Sequence, residues 1–193
     1  RQRVAPASIR LVDPVQFALG QAMKAEPDAP LKSQLMDAAK KWFVLSVKGF
    51  VAEEMCAATL LFQGTPAEVK AQQRRVYAIG RQFGGFSAGA ESGRRGYFLT
   101  YMIAYLRDYG LNYGFMAESF ETSVPWSSVL ALCHGVKARI ASAARERGVV
   151  RPPFVSCRVT QVYDTGACVY FYFGFVKRGL ADPVRVFTEV EAA

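Results

Sequence analysis

Apolar and polar positions alternate along this chain in two different rhythms, and the switches between them mark its elements. Between Leu31 and Val47 the residues Leu31, Leu35, Ala38, Ala39, Trp42 and Phe43 recur at helical spacing. Asp13-Pro14 opens an earlier helix running to about Lys24, with Asp13 as N-cap and proline at the first helical position. Glu26 to Pro30, with two prolines, reads as a break and a mobile loop. Ala57 to Phe62 is a buried strand, Thr65-Pro66 caps a third helix to about Phe83, and Gly84 to Gly96 reads as a Gly- and Ser-rich loop. A fourth helix is expected from about Arg95 to Asn112, a strand over Ser119 to Ser123, and a fifth helix from Pro125-Trp126 carrying Val129, Leu132, Val136 and Ile140. Strands and helices in this order predict an α+β fold, with an antiparallel or mixed sheet covered by helices on one side.

The clearest local pattern is a hairpin. Phe154 to Tyr163 and Ala167 to Val176 flank Asp164-Thr165-Gly166, a strong turn signal. If Tyr163 pairs with Ala167, then Thr160 lies opposite Tyr170 and Arg158 opposite Tyr172. Side chains alternate along a strand, so Arg158, Thr160, Val162, Cys168, Tyr170 and Tyr172 share one face. Val159, Val169, Phe171 and Phe173 form the other, which is core. A face with a cation and two phenols is what a lined pocket requires. Taken one at a time, however, tyrosines in strands are ordinary packing residues whose hydroxyls find a neighbour.

Composition sharpens this picture. The 193 residues are 51% hydrophobic and 21% charged, which excludes a disordered tail and a disulfide-stapled miniprotein and suits one domain. The net charge of +8 is spread from Arg1 to Arg185 with few adjacent pairs, which suggests separate anion contacts rather than a nucleic-acid tail. A single histidine, His134, cannot by itself build a triad or a multi-histidine metal site. Cys56, Cys133, Cys157 and Cys168 have no CxxC spacing and read as buried reduced thiols in a reducing compartment. The most apolar helical stretch, Tyr97 to Leu106, is about half of the roughly 20 residues needed to cross a bilayer. No Met starts the chain, no signal-peptide-like run opens it, and Asp182 to Ala193 reads as a helix still running. The expectation is a soluble segment of a larger protein.

Two further cations stand out. On the fourth helix Arg107 has Ile103, Ala104 and Leu111 as its i−4, i−3 and i+4 neighbours, so its guanidinium must pair with an anion if that face is buried. Asp108 is expected to point elsewhere. A carboxylate from another segment and a bound phosphate or carboxylate ligand both remain open. Arg10 sits in the apolar run Ser8 to Val12, where a charge is unexpected, and reads either as a surface ion pair or as a similar anion contact. Gly84 to Gly96 lacks the Gly-Lys-Ser/Thr of a phosphate loop, and His134 reads as a helix boundary residue.

Several runs together resemble the alkyldihydroxyacetonephosphate synthase family. They are Ala7-Ser8-Ile9-Arg10-Leu11, Gly96 to Tyr101 followed by Ile103-Ala104-Tyr105 and Arg107-Asp108, Glu118 to Ser123, Cys157-Arg158-Val159-Thr160-Gln161, and Gly166 to Phe173. The likeness covers Ala7 to the C-terminus and is weakest between Lys24 and Phe50. It implies a flavoprotein fold of the vanillyl-alcohol-oxidase/PCMH type, of which residues 1–193 would form the cap, or substrate, domain. The FAD-binding domain and a C-terminal His-rich motif would lie outside this chain. The family exchanges the acyl group of acyl-dihydroxyacetone phosphate for a long-chain fatty alcohol, making an ether bond through an adduct at flavin N5.

Carried over residue by residue, the resemblance implies Tyr170 as the active-site tyrosine that handles a proton. It implies Arg107 as the substrate-binding arginine that holds the phosphate, and Arg10 as an arginine near the ligand's polar end. Arg158, Thr160 and Tyr172 are expected to line the pocket. Guanidinium groups suit a phosphate, and a phenol of pKa near ~10 needs nearby cations or the flavin to act as a base. The resemblance also implies FAD as cofactor, though with no useful affinity for this segment alone. It implies a homodimer, peripheral membrane contact, and a peroxisomal or, in a trypanosomatid, glycosomal location on the lumenal side. No metal and no nucleic acid are expected. The alternatives are the cap of an FAD-dependent 2-hydroxy-acid oxidase or dehydrogenase, and a basic nucleic-acid or membrane-surface module. The hairpin match counts against the first, and the lack of a basic cluster interleaved with aromatics counts against the second.

Overall fold

The computed structural model describes residues 6–23 and 31–193. The loop expected over Glu26 to Pro30 lies outside the described residues. Five antiparallel strands form one sheet in the order β2-β1-β4-β5-β3. They are β1 (Ser8–Val12), β2 (Ala57–Leu61), β3 (Phe115–Pro125), β4 (Phe154–Val162) and β5 (Gly166–Val176). The helices are α1 (Pro14–Ala22), α2 (Leu31–Trp42), α3 (Pro66–Gln82), α4 (Gly89–Asn112), α5 (Val129–Glu146) and α6 (Pro183–Glu191).

The core follows from the alternation in β5. Val169, Phe171, Phe173 and Phe175 all point to one face and are essentially inaccessible to solvent. The stretch of β5 around Phe173 and Phe175 meets Ile140, Ala143 and Ala144 of α5 and Val186 and Val190 of α6. The stretch around Val169 and Phe171 meets Val129 at the start of α5 and Cys157 of β4. Phe120 of β3 stacks on Phe171 at 5.2 Å, and Phe187 of α6 stacks on Phe173 at 5.6 Å. Each buried phenylalanine contributes roughly 1.5–3 kcal/mol.

One carboxylate ties three elements of this layer together. Asp13 caps α1 by accepting the Gln16 N–H at 2.8 Å, accepts the Cys157 N–H of β4 at 3.1 Å, and pairs with the Lys137 ammonium of α5. The Cys157 N–H bond to this carboxylate and the Asp13 N–H bond to the Cys157 carbonyl at 3.1 Å fix the end of β1 and the start of α1 against β4, while the charge pair ties them to α5.

Helix boundaries depart from the sequence pattern at three points, one being Pro125-Trp126, where a 3-10 turn over Trp126–Ser128 precedes α5. The helix expected to run unbroken to Val47 ends at Trp42, and Phe43–Val47 winds as a wider π-helical turn. Helix α4 begins at Gly89, inside the stretch read as loop. Ser92 donates to the Ala88 carbonyl at 3.0 Å, and Arg94 approaches Glu91 at 3.8 Å, so local groups support a glycine-rich first turn. Cys157 and Cys168 are buried, Cys133 is half-buried and Cys56 is exposed; all four are free thiols. Cys56 departs from the expectation because it precedes β2, in the extended link after a short 3-10 turn.

Helix α4 lies on the other face of the sheet, which corrects the expectation of helices on one side only. Its Gly96 lies so close to Thr59 of β2 that a Cβ there would stand 2.8 Å from the threonine Oγ1, and Gly110 sits against Phe115 of β3. The helix thus touches both edge strands on the face away from α5 and α6. Among the described residues no helix is long and apolar enough to cross a membrane.

Candidate functional site

The sheet face opposite the core is polar at its centre, and strand register decides which groups meet there. Arg158 of β4 pairs across from Tyr170 of β5, and Ser156 from Tyr172. On the other side of β5, Glu121 of β3 faces Tyr170 and Ser119 faces Tyr172. Val12 of β1 is opposite Arg158, so Arg10, two residues earlier, shares the face, with Thr59 of β2 across from it.

This register corrects the expected one. Val162, not Tyr163, pairs with Ala167, and a bulge at Thr160 shifts the ladder again, so Arg158 stands opposite Tyr170 rather than Tyr172. Composition cannot announce a bulge, which is why the offset escaped the sequence pattern. Arg158, Tyr170 and Tyr172 nevertheless remain on one face, because the two offsets add to an even number. Thr160 is the extra residue. It has no cross-strand partner, and its hydroxyl turns to the Cys168 carbonyl at 3.5 Å.

Arg158 and the two tyrosines form a tight unit. The tyrosine rings are 4.8 Å apart and tilted by 45°, and the Arg158 guanidinium carbon lies 5.1 Å from each ring centre. Double contact of this kind orients the guanidinium without a carboxylate. The Tyr170 hydroxyl is 2.8 Å from the Ser119 Oγ. Burial pushes the Tyr172 phenol up to about 12, against the opposing pull of Arg158 and Arg10. Tyr172 therefore stays protonated at neutral pH. Among the described residues, two polar atoms on this face, Ser156 Oγ and Arg158 Nε, are enclosed without a hydrogen-bond partner, a condition that costs free energy until a partner reaches them.

Arg107 lies elsewhere. It is 49% exposed, beside the edge strand β3, with its Nη1 3.7 Å from Glu118 Oε1 and its Nε 3.7 Å from Asp108 Oδ1. The open question of its partner is answered by a carboxylate from another segment, and Asp108, expected to point away, also approaches it. The link from Arg107 to the tyrosines is indirect. Glu118 also accepts the backbone N–H of Ser119, whose hydroxyl meets Tyr170. Ser119, Ser156 and Glu121 escaped the sequence reading. The alternation Ala117, Ser119, Glu121 in β3 was the available signal, but it tells nothing until the partner strand is known.

These donors can grip an anion and hold a phenol in a fixed orientation. Among the described residues no group of three or more His, Cys, Asp or Glu side chains could hold a metal. The family of FAD linked oxidases, C-terminal domain, matches residues 1–193. The chain belongs to that family. It is also 49% identical, over 195 residues and its full length, to alkyldihydroxyacetonephosphate synthase of Caenorhabditis elegans, of which it covers 32%. The synthase of the same name from Trypanosoma brucei brucei is 28% identical over 90% of this chain and 28% of its own length. A solved alkyldihydroxyacetonephosphate synthase structure superposes with a TM-score of 0.75 over 98% of this chain and 33% of that one, at 20% identity. The α+β architecture is therefore that of the FAD linked oxidase C-terminal domain. The chain spans about a third of the length of the curated relatives it matches.

Proposed function

We propose that this chain is the cap, or substrate, domain of an alkyldihydroxyacetonephosphate synthase. The enzyme would exchange the acyl chain of acyl-dihydroxyacetone phosphate for a long-chain fatty alcohol and form an ether bond. The observation that carries the reading is the convergence of Arg10, Arg158, Tyr170 and Tyr172 on one sheet face, in a chain 49% identical to a protein of that name.

Tyr170 is the proton-handling group. Its hydroxyl is held by Ser119, and its ring by Arg158. Arg10 and Arg107 bind the phosphate; for Arg107 this means that the substrate's dianion displaces the exposed contacts with Glu118 and Asp108, which are weak at 3.7 Å. Tyr172, a phenol that burial moves still further from ionisation, serves as a hydrogen-bonding wall. Thr160 lines the pocket only through its backbone region, since its hydroxyl is engaged with Cys168.

The enclosed and unpartnered Arg158 Nε and Ser156 Oγ fit a cofactor or substrate that brings polar atoms to this face. FAD would suit this face through polar atoms of its ring, with Ser156 and Tyr172 as the groups to meet it. When bound, the flavin would supply a nucleophilic nitrogen beside the substrate carbon. This chain's own residues orient the substrate, exclude water and move the proton at the Tyr170 oxygen. FAD is held mainly by other parts of the protein. The reading carries with it a homodimer, peripheral contact with a membrane and a peroxisomal or glycosomal, lumenal location, without nucleic acid.

The test is exchange of labelled fatty alcohol into acyl-dihydroxyacetone phosphate by the full-length protein. Tyr170→Phe, Arg107→Ala and Arg10→Ala should each lose most activity while remaining folded. Wild-type rates in Tyr170→Phe and Arg107→Ala would overturn the assignment of roles.

A further inference from the structure

The arginines near this face differ in what they already hold. Arg107 approaches two carboxylates. Arg158 approaches none among the described residues; its recorded partners are two aromatic rings, and its Nε is enclosed without an acceptor. A half-buried guanidinium left without a counter-anion is costly, and the cost is recovered when an anion arrives. The two rings fix the plane of the head group in advance, so little side-chain freedom is lost on binding.

Position narrows the anion further. Arg158 is the direct cross-strand neighbour of Tyr170, so its ligand lies beside the atoms that react rather than at the remote end of the substrate. A single cation between aromatic rings matches one negative charge, whereas a phosphate dianion calls for two or more cations. Resting on the functional reading above, we propose that Arg158 binds the carboxylate end of the departing fatty acid, leaving the phosphate to Arg10 and Arg107. In the exchange, the bond between the substrate carbon and the ester oxygen breaks and its electron pair leaves with that oxygen, as a carboxylate. The alcohol oxygen forms the new bond to the same carbon and gives up its proton, which passes by way of the Tyr170 hydroxyl to solvent. Arg158 meets the developing negative charge on the leaving group, where a planar fork can hold both carboxylate oxygens. It is a binding residue for one product and a specificity element for an acyloxy leaving group.

The test uses the full-length, FAD-loaded protein, with hexadecanoate and inorganic phosphate as separate inhibitors of alcohol exchange. In Arg158→Met the inhibition constant for hexadecanoate should rise about tenfold or more, while that for phosphate stays within about twofold. Arg158→Lys should fall between, because an ammonium cannot hold both oxygens. Calorimetric titration of hexadecanoate onto the wild type and both variants reads the same difference without catalysis. Thermal melting identifies a variant that has failed to fold, and Arg158→Lys then carries the comparison. Unchanged hexadecanoate affinity in folded Arg158→Met and Arg158→Lys, or a loss of phosphate affinity in its place, would overturn the proposal. Arg158-dependent hexadecanoate binding by a wild type that performs no exchange would sink the functional reading alone. Exchange with Arg158-independent hexadecanoate inhibition would sink this inference alone.

Discussion

The Ser119 hydroxyl of β3 lies 2.8 Å from the Tyr170 hydroxyl of β5, yet the two residues are not directly paired in the ladder. Ser119 faces Tyr172 and reaches Tyr170 along the diagonal. The contact, with the hydrogen bond between the Tyr170 and Tyr172 side chains, fixes where the phenol oxygen stands, while the ring meets Arg158 and Tyr172. A hydrogen bond of this kind is worth about 0.5–1.5 kcal/mol. Ser119→Ala should therefore slow alcohol exchange about two- to tenfold, and Ser119→Thr should restore most of the rate. An unchanged rate in Ser119→Ala would remove Ser119 from the machinery.

Asp13 offers a second test, this time of stability. Its carboxylate serves the α1 cap, the Cys157 N–H and the Lys137 ammonium together. Asp13→Ala removes all three and strands a cation, so a loss of about 3–5 kcal/mol is expected. Lys137→Met leaves Asp13 its two backbone donors and should cost less than half as much. Urea denaturation checks the ranking; equal losses would mean that the ion pair alone carries the effect.

The same pair sets a pH dependence. Burial, the largest single influence, pulls the Lys137 ammonium down, but the hydrogen bond and charge of Asp13 together hold it above the ordinary lysine value. A lysine raised in the folded state contributes stability that is fully present below the unfolded pKa, near ~10.4. That contribution is lost as pH rises through the higher folded value. The stability gap between wild type and Lys137→Met should hold from pH 7 to 9 and shrink on approaching pH 11. A gap independent of pH would exclude the linkage.

What the chain's pattern reveals and hides has a physical basis. The phenylalanine rhythm of β5 predicts the core correctly, because burial on one face depends only on alternation. The same alternation puts Arg158, Tyr170 and Tyr172 together. It cannot give cross-strand partners, since a bulge at Thr160 inserts one residue without any compositional mark. Nor does it find Ser119 or Ser156, which become part of the face only when β3 and β4 are known to flank β5. The pattern leaves the partner of Arg107 open between a carboxylate of another segment and a bound anion for a related reason. Its helical neighbours are apolar, but the residue stands beside an edge strand where a carboxylate and solvent both reach it.

The two faces of β5 make the sharpest contrast, because neighbouring residues serve opposite ends. Phe171 is fully buried, stacked on Phe120 and packed near Val129 and Cys157. Phe171→Ala should cost about 3–5 kcal/mol through lost burial and a residual cavity. Tyr170 is only half-buried, and its hydroxyl meets the hydroxyls of Ser119 and Tyr172. Tyr170→Phe keeps the ring against Arg158 and should cost no more than about 1.5 kcal/mol of stability, while abolishing most of the exchange. Thermal unfolding and alcohol exchange measured on both variants separate the two roles. A Tyr170→Phe variant as unstable as Phe171→Ala would show that the phenol is a packing residue and that its loss of activity reports unfolding instead of chemistry.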